Sequence, residues 1–297
     1  MLSYQHIYHA GNPADVHKHA ILCRMLAYLT AKDKPLSYLE THAGRGLYML
    51  DAPEALKTGE AAAGIGAVLG RGGIPSDHPY LAALAEIRAI HGPQAYAGSP
   101  VLAAQFLRPD DRMYLAELHP QEHAALEFTM SPYAARIHRQ DGFEMAQAIC
   151  PPTPRRGLLL IDPSYEVKTE YETIPAQIAK LHRKWNVGII CLWYPILTGG
   201  LHKPMLDALE ALGLPGMLRH EVRFCACTPR SPDGRIRPVH RECTLQHRAR
   251  GAAPDQGFCH ALKRSWGAVC PSPLRDTPRR YFGQEETRHG SGGGSIF

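Results

Sequence analysis

Apolar residues recur at three- and four-residue intervals through residues 14–31 (Ala-Asp-Val-His-Lys-His-Ala-Ile-Leu-Cys-Arg-Met-Leu-Ala-Tyr-Leu-Thr-Ala), which predicts a helix with Asn12 or Asp15 near its start. Leu36-Ser-Tyr-Leu-Glu40 is a short apolar run ending in Thr41-His-Ala-Gly-Arg-Gly46, the pattern of a strand entering a glycine turn. Residues 47–95 read as helices and loops, broken by Gly59, Gly64, Gly66 and Gly70-Arg-Gly-Gly-Ile-Pro75, and form an insertion before the next regular pattern. A helix at 99–107 follows. Then come strand Met113–Ala116, helix 120–129, strand Ala135–His138, helix 142–149 and strand Gly157–Ile161. The series closes with helix 172–184, strand Val187–Trp193, helix 202–212 and strand His220–Phe224. Such alternation builds an α/β fold, a mostly parallel sheet with helices on both faces.

After Phe224 the periodicity fails. Residues 225–297 are rich in Arg, Cys, Pro, His and Gly and end Gly290-Ser-Gly-Gly-Gly-Ser295. One reading is a disordered basic tail. The preferred one is a shifted reading frame near Cys225. Back-translated and read one base later, Asp233–Thr244 yields with one codon choice Met-Gly-Gly-Ser-Gly-Leu-Tyr-Ile-Val-Asn-Ala-Pro, a glycine turn and a strand.

Charge follows the same division. The chain of 297 residues has a net charge of +5, which suggests nucleic acid. Yet residues 225–297 hold 12 Lys and Arg against 6 Asp and Glu, leaving 21 against 22 in residues 1–224. The global basicity therefore belongs to the last quarter. Cys23, Cys150 and Cys191 are scattered as reduced core thiols would be, while five cysteines crowd residues 225–297. A disulfide framework is not expected in a chain of this size without a secretory leader. The start shows no basic segment followed by an apolar one, and no run approaches the roughly 20 apolar residues of a membrane helix. A cytoplasmic protein with no membrane contact is expected.

Three features fall at strand ends, where open α/β sheets bind ligands. The glycine turn Glu40-Thr-His-Ala-Gly-Arg-Gly46 lets backbone approach a ligand, although a plain strand-to-helix turn looks the same. Glu117 ends the strand Met113–Ala116, where an acid can accept both ribose hydroxyls of a nucleoside cofactor. Dinucleotide enzymes use the same device, so a nicotinamide oxidoreductase stays open on these two features. The third is Leu158-Leu-Leu-Ile-Asp-Pro-Ser-Tyr165. Chemistry on an adenine amine needs acceptors for its hydrogens, so that the nitrogen lone pair aims at the incoming carbon. Asp162 and the Pro163 carbonyl supply two, and Tyr165 can stack on a base taken out of its helix. Asp141-Gly142, after the strand 135–138, could hold a cofactor's adenine amine or be a simple turn. His17 and His19 are two apart on a helix and do not share a face, so no metal site is read there. Cys225-Ala-Cys227 lacks a second pair at zinc spacing.

Taken together these residues resemble the bacterial 23S rRNA (adenine-N6)-methyltransferases of the RlmJ type. The likeness rests on Met1-Leu-Ser-Tyr4, His9-Ala-Gly-Asn12, Asp15-Val-His-Lys-His19, Thr41-His-Ala-Gly-Arg-Gly46 and Lys57-Thr-Gly-Glu60. Gly98-Ser-Pro100, Glu117-Leu-His-Pro120, Asp141-Gly-Phe143, Arg156–Glu166 and Leu192-Trp-Tyr-Pro195 complete it, over about residues 1–224. The resemblance implies a Rossmann-like, S-adenosylmethionine-dependent methyltransferase domain at 1–224, with 47–95 a small helical insertion, acting as a monomer on one adenine of 23S ribosomal RNA (family position 2030). It implies that Lys18, His19, His42, Gly44, Ser99, Glu117, Asp141, Gly142 and Asp162 hold S-adenosylmethionine. Lys18 would also order the N-terminal segment over the site. Asp162 would be the proton acceptor, with Pro163 and Tyr165 beside it, Tyr4 would touch the RNA, and no metal would take part. DNA adenine and protein glutamine methyltransferases use related loops, and an RNA-binding homologue with impaired turnover is a further alternative. Two departures stand out. Ser164 replaces the second proline of the usual Asp-Pro-Pro-Tyr, which leaves a less rigid loop. After Phe224 the family's glycine turn, strand end and C-terminal helix are missing, which predicts lost edge strands, poor stability and impaired activity.

Overall fold

A computed structural model describes residues 5–197, 199–223 and the backbone of the strand at 242–248. In chain order the strands are β1 (Ser37–Glu40), β2 (Leu47–Met49), β3 (Ala95–Ala97), β4 (Arg112–Ala116), β5 (Ala135–His138), β6 (Gly157–Ile161), β7 (Ile189–Ile196), β8 (Met217–Arg223) and β9 (Glu242–Arg248). The helices are α1 (Pro13–Thr30), α2 (Pro53–Thr58), α3 (Glu60–Ala63), α4 (Ile65–Arg71), α5 (Pro79–His91), α6 (Ser99–Phe106), α7 (Pro120–Met130), α8 (Gly142–Ile149), α9 (Glu170–Lys184) and α10 (His202–Ala211).

Seven strands form the main sheet in the order β5-β4-β1-β6-β7-β9-β8, the first five paired in parallel and β9 antiparallel to both β7 and β8. The expected α/β class is found. Register decides where the chemistry sits. Glu40 lies opposite Leu115 of β4 and Leu160 of β6, so three strands reach their carboxyl ends in line. Thr41, Glu117 and Asp162 leave the sheet at the same edge as a result. β6 is buried along its whole length. Each of its Leu and Ile side chains contributes roughly 1.5–3 kcal/mol by leaving water, which anchors the strand that carries Asp162.

The core has two layers. Helices α1, α5 and α6 pack on one face around Leu26, Tyr38 and Leu115, and α8, α9 and α10 cover the other around Leu159, Ile161 and Trp185. Asn12 caps α1, its side chain accepting from the Asp15 N–H at 2.8 Å, with Pro13 in the first turn. Cys23, Cys150 and Cys191 are free, buried thiols, as expected.

The structure changes the sequence reading in several places. The insertion at 47–95 is not only helical, since β2 and β3 pair antiparallel as its base. Each strand has three residues, too few for an alternating pattern to show. The insertion also grips the start of α1: Glu60 accepts from Asn12 Nδ2 at 3.0 Å and lies 3.0 Å from His9 Nδ1, and the Ile65 N–H donates to the Gly11 carbonyl. β7 runs to Ile196, past Trp193, because β9 continues the pairing as far as Pro195 and Ile196. β8 starts earlier than read, at Met217, again matched residue for residue by β9. No strand was expected after Phe224, and β9 corrects this at Glu242–Arg248. The rest of 225–297 lies outside the described residues.

Candidate active site

The carboxyl edge of the parallel strands opens into one cleft of about 510 Å³, within the range of small-ligand sites. Every described residue read from the sequence as a site residue lines it: Lys18, His19, His42, Gly44, Ser99, Glu117, Asp141, Gly142, Asp162, Pro163 and Tyr165. Tyr4 lies outside the described residues.

Asp162 follows β6, and Lys18 comes from the buried first half of α1. Lys18 Nζ donates to Asp162 Oδ2 at 2.6 Å and lies 3.0 Å from Asp15 Oδ1. Burial pushes the Lys18 ammonium down, but the two carboxylates more than reverse this and hold its pKa well above the ordinary value. Asp15 is buried, a cost opposed by His6, Lys18 and His19, and the net effect is a pKa well below the usual carboxylate range. It accepts from the Gly11 N–H at 3.0 Å and lies 3.0 Å from His6 Nε2. Lys18 therefore spends its charge on two carboxylates, which fixes one oxygen of Asp162 and leaves the other without a partner among the described residues.

Tyr165 stands at φ 57°, the one non-glycine residue at positive φ among those described. A bulky side chain there costs on the order of 1–3 kcal/mol. Its hydroxyl donates to the Trp193 carbonyl at 2.7 Å, and its ring lies 4.5 Å from that of Tyr171. Much of the ring is thus built into the core. What remains for a base is the part lining the cleft.

Across the cleft, each oxygen of Glu117 takes one backbone N–H, from Gly44 and from His119, both at 2.8 Å. The glycine turn and the acid of the next strand are one unit. Burial raises the Glu117 pKa against those two hydrogen bonds. Asp141 caps α8 through Oδ1, which accepts from the Phe143 and Glu144 N–H groups at 2.9 and 3.0 Å. A Cβ on Gly142 would stand 2.0 Å from the Thr41 carbonyl oxygen, so only glycine lets the two loops meet. His42 bonds Thr41 Oγ1 through Nδ1 at 2.7 Å, and burial lowers its pKa despite Asp162 and Asp141. His19 Nδ1 meets the Tyr96 hydroxyl at 2.9 Å, and burial depresses it to about 3. His17 turns the other way, its ring 5.3 Å from that of Trp193, as expected for two residues that do not share a helix face.

These contacts fit an adenosyl sulfonium ligand. Glu117 keeps acceptor capacity on both oxygens, Asp141 keeps Oδ2, and the Gly44 and Gly142 loops are narrowed to backbone. A family model described as "Ribosomal RNA large subunit methyltransferase D, RlmJ" matches residues 33–232. The chain belongs to this family. The Ribosomal RNA large subunit methyltransferase J of Escherichia coli (strain K12) is 39% identical over 224 residues, covering 75% of this chain and 80% of that protein. The protein of the same name from Haemophilus influenzae is 38% identical over 225 residues, with the same coverage. A crystal structure of a protein from Legionella pneumophila superposes with a TM-score of 0.71 at 35% identity, over 86% of this chain and 92% of that one. RlmJ membership removes the nicotinamide reading of the glycine turn and Glu117. Among the described residues, no helix is long and apolar enough to cross a membrane.

The sequence pattern offers Asn12 or Asp15 as a helix start, marks Glu40 only as the strand end before the glycine turn, and gives His6 and Trp193 no role in the site. Asp15 three residues before Lys18 was a visible i,i+3 pair. Nothing local pointed to the Trp193 carbonyl.

Proposed function

We propose that this RlmJ family member transfers a methyl group from S-adenosylmethionine to the exocyclic N6 of one adenine in 23S ribosomal RNA, acting as a single chain through the domain at 1–224. Residues 225–297 would be an altered end that contributes no chemistry. The observation that carries the reading is Asp162, pinned through one oxygen by Lys18 and followed by Pro163 and Tyr165, in the same cleft as Glu117 and Gly142.

Glu117 would take the ribose hydroxyls, Asp141 the adenine amine of the cofactor, and His19, His42, Gly44, Ser99 and Gly142 would complete its cradle. When bound, S-adenosylmethionine supplies an electrophilic methyl carbon. Asp162 accepts one hydrogen of the target amine on its unpaired oxygen, and the Pro163 carbonyl accepts the other. This turns the nitrogen lone pair toward the donor. Asp162 would take the amine proton as the methyl carbon passes from sulfur to nitrogen and S-adenosylhomocysteine leaves, a contribution of about 10²–10⁴ in rate. Lys18 holds the carboxylate in place and offsets its charge. Positioning of base and donor supplies much of the remainder. Tyr165 limits how far the base can turn, and Tyr4 would touch the RNA.

The test offers the purified chain labelled cofactor with protein-free 23S rRNA, duplex DNA and a release-factor protein. Label in N6-methyladenosine of the rRNA alone is expected. Label in the DNA or the protein and none in the rRNA would replace this reading with one of those activities.

A further inference from the structure

Glu40 is the last residue of β1 and is fully buried, yet the reaction above does not use it. Its Oε2 accepts from the Tyr38 hydroxyl at 2.8 Å, and its Oε1 meets the Ser99 hydroxyl. Ser99 opens α6 and lines the cleft, while Glu40 stands one hydroxyl behind it.

The neighbours decide where a proton on Glu40 must sit. Tyr38 is wholly buried, and Glu40 is the one hydrogen-bond partner of its hydroxyl among the described residues. A buried phenol has to donate, so Oε2 remains an acceptor in either protonation state. Any proton on Glu40 therefore lies on Oε1, facing Ser99. In that state Glu40 donates to Ser99 Oγ and the Ser99 hydrogen is released toward the cleft. In the ionised state Ser99 must donate to Oε1 and presents only lone pairs.

We propose that Glu40 is a positioning residue whose proton sets the polarity of Ser99, making it a donor to a ligand carboxylate when Glu40 is neutral and an acceptor only when Glu40 is charged. The proposal rests on the reading that the cleft takes S-adenosylmethionine, whose methionyl end carries such a carboxylate. Burial pushes Glu40 up to about 8, against the lowering hydrogen bonds from Ser99 and Tyr38. The charged and titratable groups around it are Lys18 of α1, which lowers it, and Asp162 after β6, which raises it. The Cys191 thiol of β7, itself raised by burial, also faces it. Affinity for the amino-acid end should then be high below about pH 8 and fall above it.

The test is calorimetric titration of the full chain with S-adenosylhomocysteine, which shares the adenosyl and amino-acid ends, across that pH. Glu40→Gln mimics the neutral acid permanently, its amide N–H facing Ser99 and its oxygen accepting from Tyr38. The ratio of wild-type to Glu40→Gln Kd cancels titration of the ligand's own amine. It should rise on the order of tenfold from neutral to alkaline pH. A flat ratio overturns the proposal. Absence of wild-type binding at every pH overturns the cofactor reading, and this inference with it. Should Glu40→Gln not fold, Tyr38→Phe removes a donor that favours the charged form, so the wild-type transition must move to higher pH. An unmoved midpoint refutes the mechanism.

Discussion

Lys18 and Asp162, 144 residues apart in the chain, meet at 2.6 Å in a nearly closed environment. Replacing Lys18 by Met leaves Asp162 without its cation and Asp15 with only the imidazoles of His6 and His19 beside it. Breaking a buried pair in this way costs about 3–5 kcal/mol. Denaturant unfolding of Lys18→Met should show a loss of that size, and methyl transfer should fall with it. A variant as stable as the wild type would mean the two carboxylates have another counter-charge.

Glu117→Ala removes the acceptor shared by the Gly44 and His119 N–H groups. The cofactor Kd should rise on the order of 10- to 100-fold, as expected for hydrogen bonds to a charged group. Calorimetry with S-adenosylhomocysteine measures it. An unchanged Kd would remove Glu117 from the binding set.

Tyr165→Phe leaves the Trp193 carbonyl without its donor, at a cost of about 1–3 kcal/mol. The loop loses one restraint on a left-handed residue, so kcat should drop while cofactor Kd stays within twofold or so. Thermal melts and steady-state kinetics read the two effects. A fall confined to cofactor binding would argue against a role for Tyr165 in holding the target base.

His19 is buried, and its pKa falls from 6.5 to about 3. The unfolded chain therefore binds the proton first as pH drops. The stability that His19 contributes is present above about pH 6.5 and is lost as pH falls toward 3. His19→Gln should flatten the stability–pH curve in that window, as measured by urea midpoints. A curve parallel to the wild type would assign the acid sensitivity to another group.

The carboxyl-edge residues were legible because strand ends show in the sequence: Glu40, Glu117 and Asp162 each follow an apolar run of four or five residues. In-register pairing of β1, β4 and β6 then brings them together without further information. β2 and β3 were not legible, since three residues carry no periodicity. Nor was β9, whose flanks lack any pattern. Asp15 was hidden by its position, because an acid in a first helical turn already has a local reason to be there. Its contact with His6, the meeting of Lys18 with Asp162, and the Tyr165 bond to Trp193 are set by tertiary packing alone.

The family match ends at residue 232, close to where the periodicity is lost. A shifted frame predicts that the coding DNA near codon 225 carries one base too many or too few, and that this chain melts at low temperature. An intact frame in several independent reads, with an ordinary cooperative melt, would show the altered end to be native.

The central claim is that Asp162 accepts the proton from an rRNA adenine amine. Nucleoside mass spectrometry of 23S rRNA treated with wild type and with Asp162→Ala, at saturating cofactor, tests it most directly. The account predicts N6-methyladenosine with the wild type and at least about a hundredfold slower formation with the variant. Equal rates for the two proteins, or a methyl group on any other base, would contradict it.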